Sequence, residues 1–401
     1  MKYDVTVVGA GPAGSTTAKF LSENGLKVVL IDKDKFPRDK PCGGGVPKRV
    51  LERYEYVDNE NIIESYSYSG VSFSPSLKNK IEVEKKTPVI ATALRKKFDH
   101  GLVKLAKESG TILRDGEKVI DIEITEDYAR AILENGEHID SEIIVGADGV
   151  WSLVAKKSGL RDKDFKTGMC VLEEFEVDKK IMDKFFGKQR ICYIHSRFKG
   201  IRGYGWVFSK KEHLNIGLGG VWVTQDKKTN LSKVFKEYID FLKDNNLIPK
   251  NIKVSSIKGG ALPIFPLEKT YSNRILLVGD AAGFINPSTG EGIYYAMASG
   301  EIAASVISES LEKKDCSSDF LSTYQKRWGK DFGKDLELYN KLINKETSDD
   351  LEKVFITIGN DKKLSELFLG VLTGELSIKE NKNKIMIRYI YCYLKNKFKK
   401  T

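Results

Sequence analysis

Residues 3–32, YDVTVVGAGPAGSTTAKFLSENGLKVVLID, decide the fold. An apolar, β-branched run from Tyr3 to Val8 leads into Gly9-Ala-Gly11-Pro-Ala-Gly14. Helical spacing then covers residues 12–24, Gly25 is placed to end the helix, and a second apolar run, Val28 to Ile31, stops at Asp32. This is a βαβ unit, and parallel strands joined by a helix predict a doubly wound, mostly parallel sheet of the α/β class. Each glycine has a physical task. Gly9 makes the tight turn, Gly11 lets backbone amides approach a pyrophosphate, and Gly14 allows the helix to lie close on the strand. Pro12 and Ala13 open the helix, whose N-terminus is the positive end of its dipole. Asp32 is suited to accept hydrogen bonds from a ribose diol, with Lys33 beside it.

Working outward, the chain has 401 residues, 41% of them hydrophobic, enough for two or three packed units and incompatible with a fibrous or disordered class. Strand-like stretches lie near 68–74 and 80–91, a helix is predicted over 95–108, and Asn135-Gly136 signals a hairpin before the strand that ends at Val145. From about 165 to 265 the pattern is β-rich with one amphipathic helix at 231–244, and an apolar strand, Arg274 to Val278, then leads to a long helix over 290–311. The expected organisation is a Rossmann-type nucleotide-binding unit over 1–164, with an embedded β-rich segment at about 55–92. An inserted β-sheet substrate unit over 165–268, a return segment over 269–315 and a helical C-terminal region over 316–401 follow.

Glycine spacing alone does not separate NAD from FAD. Two later elements favour FAD: Gly146-Ala-Asp148-Gly149 ends one strand, and Gly279-Asp280-Ala-Ala-Gly283 repeats the arrangement before a helix. An acidic residue held between glycines at a strand end suits a sugar-alcohol hydroxyl such as those of a ribityl chain, although either stretch alone also reads as an ordinary turn. Taken with PCGGG at 41–45, RKKFD at 95–99, YGWVF at 204–208 and GDAAGFINPSTGEGI at 279–293, the chain resembles the FAD-dependent oxidoreductases of the para-hydroxybenzoate hydroxylase type. Within them it resembles the geranylgeranyl reductase family, over roughly residues 1–310. That resemblance implies that Arg95 contacts the adenosine or pyrophosphate part of FAD and Asp280 the ribityl-pyrophosphate part. It places Gly290, Glu291, Gly292 and Ile293 by the isoalloxazine, where amides at a helix start stabilise negative charge on reduced flavin.

Cys42, Gly43, Gly44 and Gly45 form a backbone that a flat ring or a lipid chain can approach closely. Cys42 resembles the family's cysteine beside flavin and substrate, which makes it the candidate for shaping the reaction pocket and delivering a proton. The residues by themselves also allow a small apolar loop cysteine. Tyr204, Trp206 and Phe208 alternate along one strand and so share a face. Such a face is plain core in many proteins, and the family pattern, Pro-x-x-Tyr-x-Trp-x-Phe-Pro, makes it a substrate wall, here with Ile201 and Ser209 in place of the two prolines. The candidate catalytic residues are Cys42, Tyr204 and Trp206. The candidate substrate contacts are Gly45, Tyr204, Trp206, Phe208 and Pro287.

Charge and cysteine content narrow the partners. The 66 basic and 56 acidic residues give +10, and the segment from Asn381 onward carries seven basic residues and no acidic one, so the remainder stands near +3. The run Lys384-Ile-Met-Ile-Arg-Tyr-Ile-Tyr-Cys-Tyr-Leu394 mixes apolar and aromatic residues with lysines. It suits either an anionic lipid surface or a helix packed on the body with a solvated end. Nucleic acid is not expected, because no binding module accompanies the charge. No window reaches the ~18 apolar residues of a membrane span, and no secretory signal opens the chain. Five scattered cysteines without CxxC spacing point to no disulfide framework and no metal site, and a cytoplasmic setting, peripheral to the inner face of the cell membrane at most, is expected. The four histidines show no ligand spacing and receive no catalytic task.

The function implied by the resemblance is hydride transfer from N5 of reduced FAD to a carbon–carbon double bond of a polyprenyl group, on an isoprenoid lipid or prenyl diphosphate, with a proton reaching the other carbon. Electrons would come from NAD(P)H, bound without a domain of its own, or from a small acidic ferredoxin. The rival readings are an FAD monooxygenase or halogenase on the same scaffold and a prenyl-binding carrier without catalysis.

Overall fold

The structure, a computed structural model, describes residues 2–161, 165–220, 230–343 and 347–398. β1 (Tyr3–Val8), α1 (Pro12–Glu23) and β2 (Val28–Asp32) form the predicted unit, with β1 and β2 parallel from Val5 opposite Val28 to Val8 opposite Ile31. All five residues of β2 are buried, as a parallel strand covered on both faces requires. β3 (Gly45–Pro47), α2 (Lys48–Arg53), β4 (Ser65–Ser67), β5 (Ser69–Phe73), β6 (Lys80–Glu84) and β7 (Ile90–Thr92) come next. α3 (Arg95–Glu108) has the expected bounds and is followed by β8 (Ile112–Asp115), β9 (Val119–Ile124), β10 (Ala129–Leu133), β11 (His138–Gly146) and α4 (Leu153–Lys157). The Asn135-Gly136 turn joins β10 to β11 in an antiparallel pair, with Gly136 at φ +85°.

The β-rich part contains β12 (Thr167–Glu176), α5 (Lys179–Phe186), β13 (Ile191–Ser196), β14 (Tyr204–Ser209), β15 (His213–Gly220), α6 (Leu231–Asp244) and β16 (Lys258–Pro263). α6 buries Phe235, Tyr238, Ile239 and Leu242, a single stripe at helical spacing. β17 (Tyr271–Ser272) and β18 (Ile275–Leu277) return the chain to the first sheet, and α7 (Ile293–Glu312) follows. α8 (Ser318–Trp328), α9 (Lys334–Ile343), α10 (Ser348–Gly359), α11 (Lys362–Leu372) and α12 (Ile378–Phe398) complete the helical region.

The first sheet runs β17-β18-β11-β1-β2-β8, with β9 and β10 extending it beyond β11. Its β18-β11-β1-β2-β8 core is parallel throughout, the doubly wound arrangement expected of a Rossmann-type unit. The second sheet runs β16-β12-β15-β14-β13-β5-β6, and a small third sheet joins β3, β7 and β4. Two expectations need correction here. Strands β5 and β6, expected as a segment embedded in the first unit, complete one side of the second sheet, because β5 pairs in parallel with β13 from Ser69 opposite Ile191 to Phe73 opposite His195, and β6 pairs with β5. The 165–268 stretch also contains a second helix, α5, capped by the Asp178 side chain and packed through Met182 and Phe186. Its short length hid it among strand-like neighbours.

α1 and α7 cross beneath the first sheet at very close range. A Cβ built on Gly300 would lie 2.7 Å from the Ala13 carbonyl oxygen and 2.8 Å from the Thr17 hydroxyl. α7 starts at Ile293, later than the expected 290, because Gly290 at φ +65° lies in a self-bonded loop in which Gly290 N–H donates to Asn286 O and Asn286 N–H to Glu291 O.

Candidate cofactor and substrate site

The glycine turn between β1 and α1 has the geometry assigned to each of its residues. Gly9 stands at φ +101°, and a Cβ there would lie 2.3 Å from the Ala147 carbonyl oxygen. A Cβ on Gly14 would fall 1.8 Å from Gly9 O, so only glycine lets α1 lie this close to the turn. Gly11 differs: a Cβ there would meet only Arg38 Nη2, at 3.7 Å, which leaves its face open to a ligand. No side chain caps α1, so its first-turn amides and positive end face that opening, behind Pro12 and Ala13. Asp32 is buried, and its carboxylate accepts from Ala10 N–H (2.7 Å) and Asp34 N–H (2.9 Å), which fixes it at the mouth of the turn. Lys33 is exposed beside it. An open glycine face, an uncapped helix start and an anchored carboxylate make a cradle of the right chemistry for the pyrophosphate and ribose of FAD.

The cradle continues into the second half of the site. A Cβ on Gly279 would meet the Ala13 methyl at 2.8 Å, and one on Gly292 would meet Asp280 Oδ1 at 3.4 Å, so Asp280 lies between the glycine turn and the start of α7. Its carboxylate is partly open, with Lys40 Nζ at 3.5 Å. Gly290 in turn lies beside Tyr204, whose hydroxyl would be 3.6 Å from a Cβ there and donates to the Thr289 carbonyl. Pro287 and Ile293 are buried on either side of this loop.

Beyond Tyr204 lies the aromatic face. Tyr204, Trp206 and Phe208 do share one side of β14, with ring centroids 5.8 and 6.4 Å apart in succession. The Cys42–Gly45 loop presses onto this face: a Cβ on Gly43 would be 2.9 Å from Phe208 and 3.2 Å from Trp206 Nε1, and one on Gly45 would be 3.3 Å from Phe208. Gly43 and Gly45 thus lie against the aromatic strand, while Gly44, at φ +74°, has no room for a Cβ because the Ala93 carbonyl oxygen would be 2.0 Å from it. Trp206 is buried by that contact, which leaves Tyr204 and Phe208 as the partly open members of the wall. Cys42 Sγ accepts from Gly44 N–H at 3.4 Å and faces Cys170 and Tyr204. Burial pushes the Cys170 thiol up to about 12, and burial, with Cys170 and Cys42 beside it, raises the Tyr204 hydroxyl above its ordinary value. Both neighbours of Cys42 therefore keep their protons at neutral pH.

Three site expectations are revised by their partners. Asp148 turns inward: its carboxylate accepts from the Ser152 hydroxyl (2.5 Å) and from Leu153 N–H (2.6 Å) and Val154 N–H (3.2 Å), and so starts α4 instead of reaching for a sugar. Gly149, at φ +80°, makes the turn that allows this. Glu291 is occupied likewise, accepting from Tyr294 N–H (2.7 Å) and Arg49 Nη2 (2.8 Å), so part of the α7 dipole is already met by this chain's own carboxylate. Arg95 is buried with its fork on Asp99, Nε to Oδ1 at 2.8 Å and Nη2 to Oδ2 at 2.7 Å, beside Cys42 and directed inward. Arg38, which sequence reading passed over, is the guanidinium nearest Gly11, and it pairs with the same Asp99 at 2.8 Å.

Sequence reading also missed Glu174, Lys210 and Asn215, which hold the loop from behind. Lys210 continues the alternation of Tyr204, Trp206 and Phe208 by one more step, and that spacing was the available signal. The histidines are not gathered at the site. His195 is buried against Tyr238 Oη at 2.7 Å, with burial holding its imidazole down to about 3. Among the described residues no group of three or more His, Cys, Asp or Glu side chains is placed to hold a metal ion.

Residues 2–332 match the family described as FAD binding domain. The chain is 33% identical over 374 residues, 89% of its length and 90% of the relative's, to a digeranylgeranylglycerophospholipid reductase of Methanocaldococcus jannaschii. A geranylgeranyl bacteriochlorophyll reductase-like protein of Thermoplasma acidophilum has a similar structure, with a TM-score of 0.80, 23% identity and coverage of 95% of this chain and 99% of that one. A flavin-dependent brominase, at 19% identity, a TM-score of 0.72 and full coverage of both chains, shares the fold.

Proposed function

The chain belongs to the FAD binding domain family and to the digeranylgeranylglycerophospholipid reductase group within it, and from that premise we propose that this FAD-dependent oxidoreductase saturates carbon–carbon double bonds of geranylgeranyl groups on isoprenoid lipids. The observation that carries the reading is the contact of the Cys42–Gly45 loop with the Tyr204-Trp206-Phe208 face, continuous through Gly290 and Asp280 with the glycine cradle. Gly11, Asp32, Asp280 and the start of α7 hold the cofactor in this reading, with Arg38 as a cation over the pyrophosphate. Bound and reduced, the flavin supplies the hydride that adds to one alkene carbon.

The chain's own residues do the rest. Tyr204 and Phe208 offer an apolar surface for an isoprenoid chain and keep water from the reacting atoms, while the Tyr204 hydroxyl is tied to the 286–292 loop. Cys42 Sγ stands at the junction of loop and aromatic face and holds the proton for the second alkene carbon. An anaerobic assay tests this: protein reduced with dithionite and given a geranylgeranyl lipid is expected to yield products heavier by two-hydrogen steps in the mass spectrum. Flavin absorbance without a mass gain would sink the substrate class in favour of an oxygen-using flavoenzyme, and colourless protein would favour a carrier. Cys42→Ala is expected to keep its flavin and lose on the order of 100-fold in rate, the contribution of one placed proton donor; an unchanged rate removes Cys42 from proton delivery.

The substrate's lipid nature gives a reason for the outer face of α12. Its inner face packs through Ile385, Tyr389 and Cys392, while Met386, Ile387, Ile390, Tyr391, Tyr393 and Leu394 are 46–69% exposed. Lys382, Lys384 and Lys395 flank them in the open, and Lys399 and Lys400 of the basic tail lie outside the described residues. No described helix is long and apolar enough to cross a membrane. In this reading the face rests on an anionic lipid surface, each nearby basic residue adding on the order of 1 kcal/mol. The protein is expected to co-sediment with vesicles rich in anionic phospholipid and to stay free of zwitterionic ones, and Ile387→Glu with Ile390→Glu to release it. Sedimentation unaffected by the two glutamates would reject the surface.

A further inference from the structure

Lys210 is the most deeply buried cation near the reaction pocket. It has no exposed surface, and among the described residues its ammonium group has one hydrogen-bond partner, Glu174 Oε2, at 2.6 Å. The same carboxylate oxygen accepts from Asn215 Nδ2 at 2.9 Å. Asn215, itself fully buried, donates also to the Cys42 carbonyl oxygen at 3.1 Å and accepts from the Trp206 indole at 2.8 Å. The ammonium lies directly beneath the loop, 3.1 Å from where a Cβ on Gly44 would be. A buried lysine–glutamate pair contributes little net stability, since desolvation offsets its attraction, so plain packing is a weak account of it. What the pair does is geometric. It orients Asn215, whose side chain hydrogen-bonds to both the Cys42 carbonyl and the Trp206 indole.

We propose that Lys210 is a positioning residue for the reaction: with Glu174 it locks Asn215, which sets the Cys42 loop and the Trp206 indole in one register. The inference rests on the reductase reading given above. Asn215 Oδ1 must face the indole and Nδ2 the carbonyl, because an indole only donates and a carbonyl only accepts. Glu174 enforces that orientation by accepting from the same Nδ2, and Lys210 keeps Glu174 turned inward, with Glu174 Oε1 left buried and, among the described residues, without a hydrogen-bond partner. Loss of the lysine frees Glu174 to turn to solvent and the amide to rotate, and the loop then loses its anchor at the residue that carries the thiol.

The test compares Lys210→Met and Asn215→Ala with the unaltered holoenzyme on two readouts, steady-state prenyl reduction and the rate of Cys42 alkylation by a maleimide in a variant whose other four cysteines are serine or alanine. Both substitutions are expected to lower kcat on the order of 100-fold, the effect of displacing reacting groups by about 1 Å, with KM for the lipid within about twofold. Both are also expected to speed Cys42 alkylation, and Lys210→Met with Glu174→Gln to recover part of kcat, because a glutamine oxygen can still accept from Asn215. Wild-type kcat in Asn215→Ala overturns the proposal, as does an unchanged alkylation rate. If Lys210→Met does not fold, Asn215→Ala decides alone, since it leaves the ion pair intact. If the unaltered protein reduces no prenyl lipid, the reductase reading fails while alkylation still reports whether Lys210 and Asn215 hold the loop.

Discussion

Gly14→Ala is expected to yield protein that neither folds stably nor binds flavin, whereas Gly11→Ala is expected to fold normally and lose only the cofactor. The two positions are three residues apart in one motif and differ in what a methyl group would meet. At Gly14 the new carbon would stand 1.8 Å from the Gly9 carbonyl oxygen and 3.0 Å from the Ala147 methyl, and the first of these is backbone that cannot rotate away. α1 would have to lift from the turn, and it cannot do so freely because α7 crosses it at Gly300, so closely that a Cβ there would lie 2.7 Å from Ala13 O. Overpacking of this kind costs about 3 kcal/mol or more. At Gly11 the methyl meets nothing nearer than Arg38 Nη2 at 3.7 Å, so the apoprotein's thermal midpoint should not move. The methyl does occupy the space over which a pyrophosphate must approach the α1 amides. Losing one or two hydrogen bonds to a charged group, about 1.5–3 kcal/mol each, weakens FAD binding roughly tenfold to several-hundredfold or more. Thermal unfolding of the apoproteins and titration of FAD fluorescence measure the two effects separately. Normal FAD affinity in Gly11→Ala would place the pyrophosphate somewhere other than over this turn.

That contrast also shows what was legible in the sequence. The βαβ unit, α3 and α6 were readable with close bounds because their signals are local: a glycine turn, an apolar stripe at 235, 238, 239 and 242, a glycine after the last turn. The membership of β5 and β6 in the second sheet was not readable, because nothing in residues 69–84 says that Ser69 will lie beside Ile191, more than a hundred residues away. Asp148 misled for a different reason. An acidic residue between glycines at a strand end has two uses, a ligand contact or a helix start, and Ser152 four residues later was the sign of the second. The aromatic alternation was read to Phe208 and stopped there, since a lysine in the next inward position looks like the end of a strand; only the burial of Lys210 under Gly44 shows that the pattern continues. Arg38 and Asp99 lie 61 residues apart in sequence and meet only in the folded chain.

Arg95→Met is expected to destabilise the protein by about 3–5 kcal/mol at neutral pH, and by much less near pH 4. Asp99 is fully buried and receives both prongs of the Arg95 guanidinium, with Arg38 paired to the same oxygen at 2.8 Å. Burial alone would raise the Asp99 carboxyl, but the charges and hydrogen bonds of Arg95, with Arg38 behind it, outweigh burial and hold it below the usual carboxylate range. Folding therefore favours the ionised form. The stability this contributes is fully present above the unfolded value of about 4 and is lost as pH falls from there through the lower folded value. Removing Arg95 reverses the balance. The carboxylate keeps Arg38 and the weaker attraction of Lys40, burial now dominates, and the folded protein prefers Asp99 protonated, so the deficit grows as pH rises and shrinks as the carboxyl takes up its proton. Urea unfolding midpoints of the two proteins should thus lie far apart at pH 7 and converge toward pH 4. A gap that stays constant with pH would mean that Arg95 stabilises by packing alone. Arg95→Met with Asp99→Leu provides the complementary arm: with that pair replaced by apolar groups, part of the lost stability should return, the remaining deficit falling to Arg38, which loses its 2.8 Å partner. The thiol of Cys42 would still lack the guanidinium that lies beside it in the native chain, so any loss of activity that persists in the restored double variant belongs to the site and not to the fold.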